Sequence, residues 1–235
     1  MFTCPHVLCP PYFERPIPLV LLAGEGLNKS IWNNTINFLS NRGFSGIALA
    51  LPDINNIDKV TDSINHSIQK AKLTNPIIIS HSISTFVAQK YMESYSASAL
   101  VLINPIPPQN HISSISKLYE AKHLIDNKSI QTYYKIDHDD ISMSNYPEDM
   151  LKQIINNPLA SALNVEPNAC DMLIITTKGD YDMKIIDDDD MRRMQSYHNL
   201  DDENIVNFDI SNRLPFITDS NMCNQAIYDF IDKIY

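Results

Sequence analysis

Six short apolar segments of strand length alternate with longer amphipathic segments along this chain. The strand candidates are Leu19 to Ala23, Gly46 to Leu51, Pro76 to Ser80, Ala99 to Asn104, Met172 to Thr177 and Asn204 to Ile210. Between the second and third, apolar residues recur with helical spacing, at Ile57, Val60, Ile64 and Ile68. Continuous apolar strands joined by helices are typical of a parallel sheet that is buried on both faces. The sequence therefore predicts a doubly wound α/β domain with a mostly parallel sheet of about six strands.

The alternation stops after the fourth strand candidate. Residues 105–169 contain no convincing strand, but helical patterns occur at about 112–127 and 147–163, on either side of the polar run 137–140. In open α/β folds, ligands bind at the carboxyl edge of the sheet, and an insertion at this point lies over that edge. We therefore expect a domain of residues 17–235 with a helical lid at about 105–169. Residues 1–16, which contain four prolines, are expected to form an extended segment.

Ser82 lies just after the strand candidate Pro76 to Ser80 and just before a helical pattern. Ser82 is flanked two residues away on each side by the small residues Ser80 and Ser84. This spacing is typical of a nucleophile elbow, in which a sharp turn from strand to helix exposes a serine hydroxyl and leaves room only for small neighbours. Serine stands at both positions where glycine is usual, and its Cβ must be accommodated there.

At this point the chain resembles the α/β-hydrolase family, over about residues 18–235. Residues 19–26 look like the family's first strand and oxyanion loop, and residues 80–84 look like its nucleophile elbow. The resemblance implies Ser82 as nucleophile and the backbone near Gly24, Glu25 and Ile83 as the oxyanion site. Residues 178–182 resemble the acid loop, which implies Asp182 as the catalytic acid.

The family's catalytic histidine lies just after the last strand, and this chain differs there. Arg213 occupies the histidine position, or Asn212 does if the register slips by one residue. Neither side chain can act as a base, because arginine stays protonated and an amide has no useful basicity. A guanidinium at this position is expected to form an ion pair with Asp182.

Five histidines are candidates for a replacement base. His81 adjoins the nucleophile and is expected to point away from its hydroxyl, whereas His66 and His198 are expected at the opposite edge of the sheet. His111 and His123 fall in the predicted lid, from which a ring could reach Ser82. A base supplied from the lid would lack Asp182 as its orienting partner, so the base stays unidentified.

Composition excludes several classes of function. A net charge of −10 over 235 residues argues against binding to nucleic acid, and no apolar stretch approaches the roughly 20 residues of a membrane span. Four cysteines without paired-ligand spacing favour a reduced intracellular setting, either cytoplasmic or mitochondrial. The pattern Cys4-x-His6-x-x-Cys9 lacks a further ligand, and the acidic run 187–190 reads as a helix start. We expect no metal and no cofactor.

These observations predict an α/β-hydrolase-fold protein that has lost its catalytic activity and serves as an accessory subunit of a larger assembly. Its neighbours are expected to be proteins that contact the lid or the segment 1–16. One alternative is a small serine esterase or thioesterase that uses Ser82, Asp182 and an unidentified base. Another is a receptor that holds an apolar small molecule under the lid.

Overall fold

The computed structural model describes residues 17–24, 27–52, 54–107, 111–124, 148–156, 163, 169–182 and 185–235. Within the helices, the side chains of residues 118–124, 180 and 182 lie outside this description. The N-terminal segment 1–16, Glu25 and the central part of the predicted lid also lie outside it. The predictions for those residues therefore stay predictions.

Six parallel strands form one sheet. They are β1 (Leu19–Leu22), β2 (Gly46–Leu49), β3 (Ile77–His81), β4 (Ala99–Ile103), β5 (Asp171–Thr177) and β6 (Ile205–Phe208). Their order across the sheet is β2-β1-β3-β4-β5-β6, and every neighbouring pair is parallel. All six predicted strands are present, with ends that shift by up to two residues. The strand order reverses direction at β1 and β3, which is the arrangement of a doubly wound sheet.

Helices cover both faces of this sheet. They are α1 (Asn33–Ser40), α2 (Ile57–Lys70), α3 (Ile83–Tyr91), α4 (His111–Leu124), α5 (Glu148–Asn156), α6 (Lys178–Asp182), α7 (Asp188–His198), α8 (Pro215–Thr218) and α9 (Ser220–Ile234). The described residues also form two short 3₁₀ helices, Lys29–Trp32 before α1 and Asp202–Asn204 before β6. Among the described residues, every helix is too short or too polar to cross a lipid bilayer.

The period of two along each strand divides the core into two layers. Leu19 and Leu21 of β1 pack on the side of α1 and α9, while Val20 and Leu22 pack on the side of α2 and α3. Because each face has its own apolar layer, the central strands are buried throughout, as a parallel sheet requires. The predicted doubly wound α/β class is confirmed.

The long connection from β4 to β5 contains α4 and α5, which lie where the sequence has its two helical patterns. Buried residues of both helices, among them Ile115 and Leu151, belong to the layer that also contains Phe86 of α3. These helices are therefore packed on the domain. Whether the insertion acts as a lid remains a prediction.

Candidate active site

Ser82 lies at a sharp turn between β3 and α3. Its backbone has φ 52° and ψ −124°, a conformation that residues with a Cβ rarely adopt. The turn is fixed from both sides, because the Ser82 N–H donates to the Ile103 carbonyl at 2.9 Å and the Ser82 carbonyl accepts from Thr85 N–H at 2.9 Å. The adjoining sheet and helix therefore hold the strained residue in place.

The two flanking serines use their hydroxyls to bond backbone groups. Ser80 Oγ donates to the Val101 carbonyl at 3.3 Å. Ser84 Oγ accepts from the His81 N–H at 2.9 Å and lies 2.9 Å from the Leu22 carbonyl and 2.8 Å from the His81 carbonyl, either of which it can donate to. Serine is therefore accommodated at both usual glycine positions, because each buried hydroxyl has backbone hydrogen-bond partners.

Arg213 contacts the Ser82 hydroxyl directly. The arginine follows β6 in the loop 209–214, and its Nη2 donates to Ser82 Oγ at 2.8 Å. Both residues are buried, with Arg213 2% exposed and Ser82 0% exposed. The structure thus places a guanidinium donor against the oxygen of the candidate nucleophile, across 131 positions of sequence.

The backbone of Arg213 is held by two further side chains. Its carbonyl lies 2.8 Å from His81 Nε2 and accepts from Asn104 Nδ2 at 3.0 Å. Since a carbonyl can only accept, His81 carries its proton on Nε2 in this contact. Sequence reasoning missed both anchoring roles. The position of Asn104 at the carboxyl end of β4 is the signal that could have indicated one, because that edge collects functional side chains.

The His81 ring is packed between Gly24, which follows β1, and Phe216 of α8. Its edge meets the Phe216 ring at a centroid distance of 5.1 Å, and Phe216 stacks on Trp32 at 4.2 Å. A Cβ at Gly24 would lie 2.6 Å from His81 Nδ1, so this glycine leaves the space that the ring occupies. His81 therefore positions the loop of Arg213, and Gly24 permits that position.

The other predicted site residues are placed as follows. Ile83 begins α3 next to Ser82 and is buried. Asp182 ends α6, a helix that is joined to the loop 209–214 through Gly179 N–H and the Ile210 carbonyl at 3.1 Å. The side chain of Asp182 and the whole of Glu25 lie outside the described residues. The predicted Asp182–Arg213 ion pair and the oxyanion role of Glu25 therefore stay predictions.

The histidines considered as replacement bases occupy different regions. His111 begins α4, is buried and stacks on Phe86 of α3 at a centroid distance of 5.0 Å. His66 lies on the exposed side of α2, and His198 ends α7. The side chain of His123 lies outside the described residues. The part of the chain that the structure describes contains no cluster of three or more His, Cys, Asp or Glu side chains that could hold a metal ion.

No protein-family model matches this sequence, and no curated protein matches it. Solved structures do match over most of their length. MenH from S. aureus has 16% identity and a TM-score of 0.67, covering 96% of this chain and 97% of that one. An epoxide hydrolase from Bacillus megaterium has 14% identity and a TM-score of 0.71, covering 94% and 95%.

An esterase from Exiguobacterium antarcticum is similar to the same extent, with 18% identity, a TM-score of 0.64 and 92% of each chain covered. At such identities the likeness concerns the fold and not the chemistry. The six parallel strands, their order and the turn at Ser82 agree with it. From these agreements, the chain has the α/β-hydrolase fold.

Proposed function

We propose that this protein is an α/β-hydrolase-fold protein without hydrolase activity. The observation that supports the proposal is the 2.8 Å hydrogen bond from Arg213 Nη2 to the buried hydroxyl of Ser82. In the serine hydrolases that this chain resembles, this position belongs to a histidine that removes the serine proton. Here it belongs to a side chain that only donates hydrogen bonds.

The chemistry of acyl transfer explains why this exchange matters. A base must take the proton from the serine as the oxygen attacks, and must then return a proton to the leaving group. A guanidinium has a pKa above about 12, so it does neither at neutral pH. Its positive charge can stabilise a serine alkoxide, but Arg213 cannot accept the proton that the Ser82 hydroxyl must lose.

The surroundings of Arg213 indicate that it is a built part of this site. His81 and Asn104 both bond its carbonyl, and Gly24 leaves room for the His81 ring. A buried guanidinium needs a compensating negative group, since an uncompensated buried charge is costly. We propose that Asp182 supplies it, which would convert the acid and base positions of a triad into an ion pair.

Active-site labelling tests the proposal. A fluorophosphonate probe reacts only with an activated serine, so we expect no added mass on the Ser82 peptide under conditions that label an active esterase completely. Stoichiometric labelling that disappears in Ser82→Ala would overturn the proposal.

Two substitutions at Arg213 test whether the lack of a base is what prevents hydrolase activity. Arg213→His should create measurable ester hydrolysis, while the matched variant Arg213→Gln, which removes the charge but supplies no base, should not. Equal activity in the two folded variants would show that any gain comes from opening the site and not from a new base.

A serine esterase is the second candidate, because two observations favour it. Ser82 retains the strained turn on which a nucleophile depends, and esterases are among the similar structures. In that case the base comes from elsewhere in the chain. The same labelling experiment distinguishes the two candidates, since only the esterase predicts a covalent adduct at Ser82.

For a protein without turnover, we propose a role as an accessory subunit, with protein partners at the insertion or at residues 1–16. An apolar molecule bound under the insertion is the alternative use. Native mass spectrometry of the protein from its source cell separates these roles. A heteromeric mass supports the subunit, a copurifying small molecule supports the receptor, and a free monomer with neither contradicts both.

A further inference from the structure

The carboxyl end of β4 is bonded to both partners of the contact between Arg213 and Ser82. The Ile103 carbonyl, in the last residue of β4, accepts from the Ser82 N–H at 2.9 Å. The next residue, Asn104, donates from Nδ2 to the Arg213 carbonyl at 3.0 Å. Two consecutive residues therefore fix the backbone of the serine and the backbone of the arginine that contacts it.

Asn104 is suited to this place by its backbone as well as by its amide. It has a φ of 50°, in the left-handed region, and it is 0% exposed. Asparagine enters this region more readily than most residues with a Cβ, and glycine, which enters it freely, has no amide to donate. The Asn104 N–H donates to the Ile175 carbonyl of β5 at 2.7 Å. The donor to Arg213 is therefore itself held by the neighbouring strand.

The loop that contains Arg213 has two further attachments. His81 Nε2 donates to the Arg213 carbonyl at 2.8 Å. Earlier in the loop, the Ile210 carbonyl accepts from the Gly179 N–H of α6 at 3.1 Å. The ends of β3 and β4 and the helix α6 therefore all hold the loop 209–214.

The chain after Arg213 is anchored by apolar packing. Leu214 and Phe216 are both 0% exposed, and Phe216 stacks on Trp32 at a centroid distance of 4.2 Å. The Arg213 side chain is buried as well, so neighbouring atoms limit its rotation. Moving the guanidinium away from Ser82 therefore requires that buried polar groups lose their partners or that apolar side chains become exposed.

We propose that Arg213 stays on the Ser82 hydroxyl as long as the protein is folded, as a fixed contact and not as a gate, and that Asn104 is its positioning residue. This inference rests on the proposed function and deepens it, because it concerns whether the inactive site ever opens. A gating arginine needs a backbone that is free to move. Here two side chains bond the carbonyl of the arginine, so its backbone is held independently of the contact that its guanidinium makes.

Hydrogen exchange of the Arg213 Nε–H, followed by ¹⁵N NMR, measures how often the contact opens. The chain has five arginines, and the Arg213 signal is assigned by its loss in Arg213→Lys. For a fixed contact we expect exchange at least about 100-fold slower than at Arg193, an exposed residue of α7. Backbone amides of β1, β3 and β4 report global unfolding, and each Arg213 rate is expressed relative to theirs.

Two variants each remove one donor to the Arg213 carbonyl. Asn104→Gly keeps the left-handed backbone and loses the amide, and His81→Phe keeps an aromatic ring against Phe216 and loses Nε2. Each should raise the relative exchange rate of the Arg213 Nε–H by about two- to tenfold, which is the scale of one neutral hydrogen bond.

Asn224→Ala is the matched control. It also removes a buried amide, whose Oδ1 accepts from Thr35 Oγ1 at 2.7 Å and joins α9 to α1. Its effect on global stability is carried by the core amides as well, so the relative rate at Arg213 should stay unchanged.

Exchange at Arg213 as fast as at Arg193 would overturn the fixed contact. Equal relative rates in Asn104→Gly and Asn224→Ala would overturn the positioning role of Asn104. If Asn104→Gly does not fold, an unchanged rate in folded His81→Phe overturns the proposal instead. Failure of the proposed function is distinguishable, because fast exchange with an unlabelled Ser82 rejects the fixed contact alone, whereas fluorophosphonate labelling of Ser82 rejects the proposed function and this inference with it.

Discussion

The strained backbone at Ser82 makes a prediction about stability that does not depend on activity. With φ 52° and ψ −124°, Ser82 has a conformation that favours glycine. Such strain costs about 1–3 kcal/mol for a residue with a Cβ. Ser82→Ala and Ser82→Gly both remove the hydroxyl that Arg213 contacts, so their difference in unfolding free energy reports on the backbone and the Cβ alone.

Two effects oppose the relief of strain in the glycine variant. Glycine has more conformational freedom in the unfolded chain, which costs about 0.5–1 kcal/mol, and it loses a buried carbon worth about 0.8 kcal/mol. These two effects sum to about 1.3–1.8 kcal/mol. Against a relief of about 1–3 kcal/mol, Ser82→Gly should lie between about 0.8 kcal/mol less stable and about 1.7 kcal/mol more stable than Ser82→Ala. At Ser63, in the regular helix α2, alanine should be ahead of glycine by about 1 kcal/mol.

Urea unfolding of the four variants measures these differences, with the slope of each transition checked for constancy. The entropy term of glycine is common to both positions. The preference for glycine over alanine should therefore be greater at Ser82 than at Ser63 by the strain of about 1–3 kcal/mol less the roughly 0.8 kcal/mol of the buried carbon. If alanine is favoured over glycine by the same amount at Ser82 as at Ser63, the turn at Ser82 is unstrained and the reasoning is refuted.

Three further predictions concern polar groups that are buried, or in the case of Cys170 partly buried. Ser84→Ala should lower the free energy of unfolding by about 1–3 kcal/mol, because it leaves the His81 N–H and the Leu22 carbonyl without the hydroxyl they bond; urea unfolding checks this, and a neutral effect would contradict it. His198 has a pKa lowered to about 4 by burial, so the stability it contributes is complete above the ordinary pKa of about 6.5 and is lost as the pH falls toward 4. Compared with His198→Phe, the wild-type protein should therefore lose stability over that interval, whereas parallel pH profiles would contradict the assignment. Burial raises the pKa of the Cys170 thiol to about 12, so iodoacetamide should modify Cys170 at pH 8 far more slowly in the native protein than after unfolding, as peptide mass spectrometry would show; equal rates would contradict this.

Much of the fold could be predicted from the sequence, because local patterns report on which side of an element is buried. The apolar segments and their period predicted all six strands and the two faces of the sheet. The strand-to-helix turn at Ser82 could also be predicted, since small residues at fixed spacing reflect a local steric requirement. These features depend on neighbouring residues in the chain, which a sequence displays directly.

The contacts that define the candidate site are of a different kind. Aligning the last loop identified Arg213 as the residue in the histidine position, but no local pattern indicates that His81 and Asn104 hold its carbonyl. The burial of His198, at the end of α7, is likewise a result of contacts between elements that are distant in the chain. The sequence by itself determined the elements and the side each one buries. Only the tertiary structure decided which loops meet at each edge of the sheet, because that depends on backbone paths and on side-chain contacts between residues far apart in the chain.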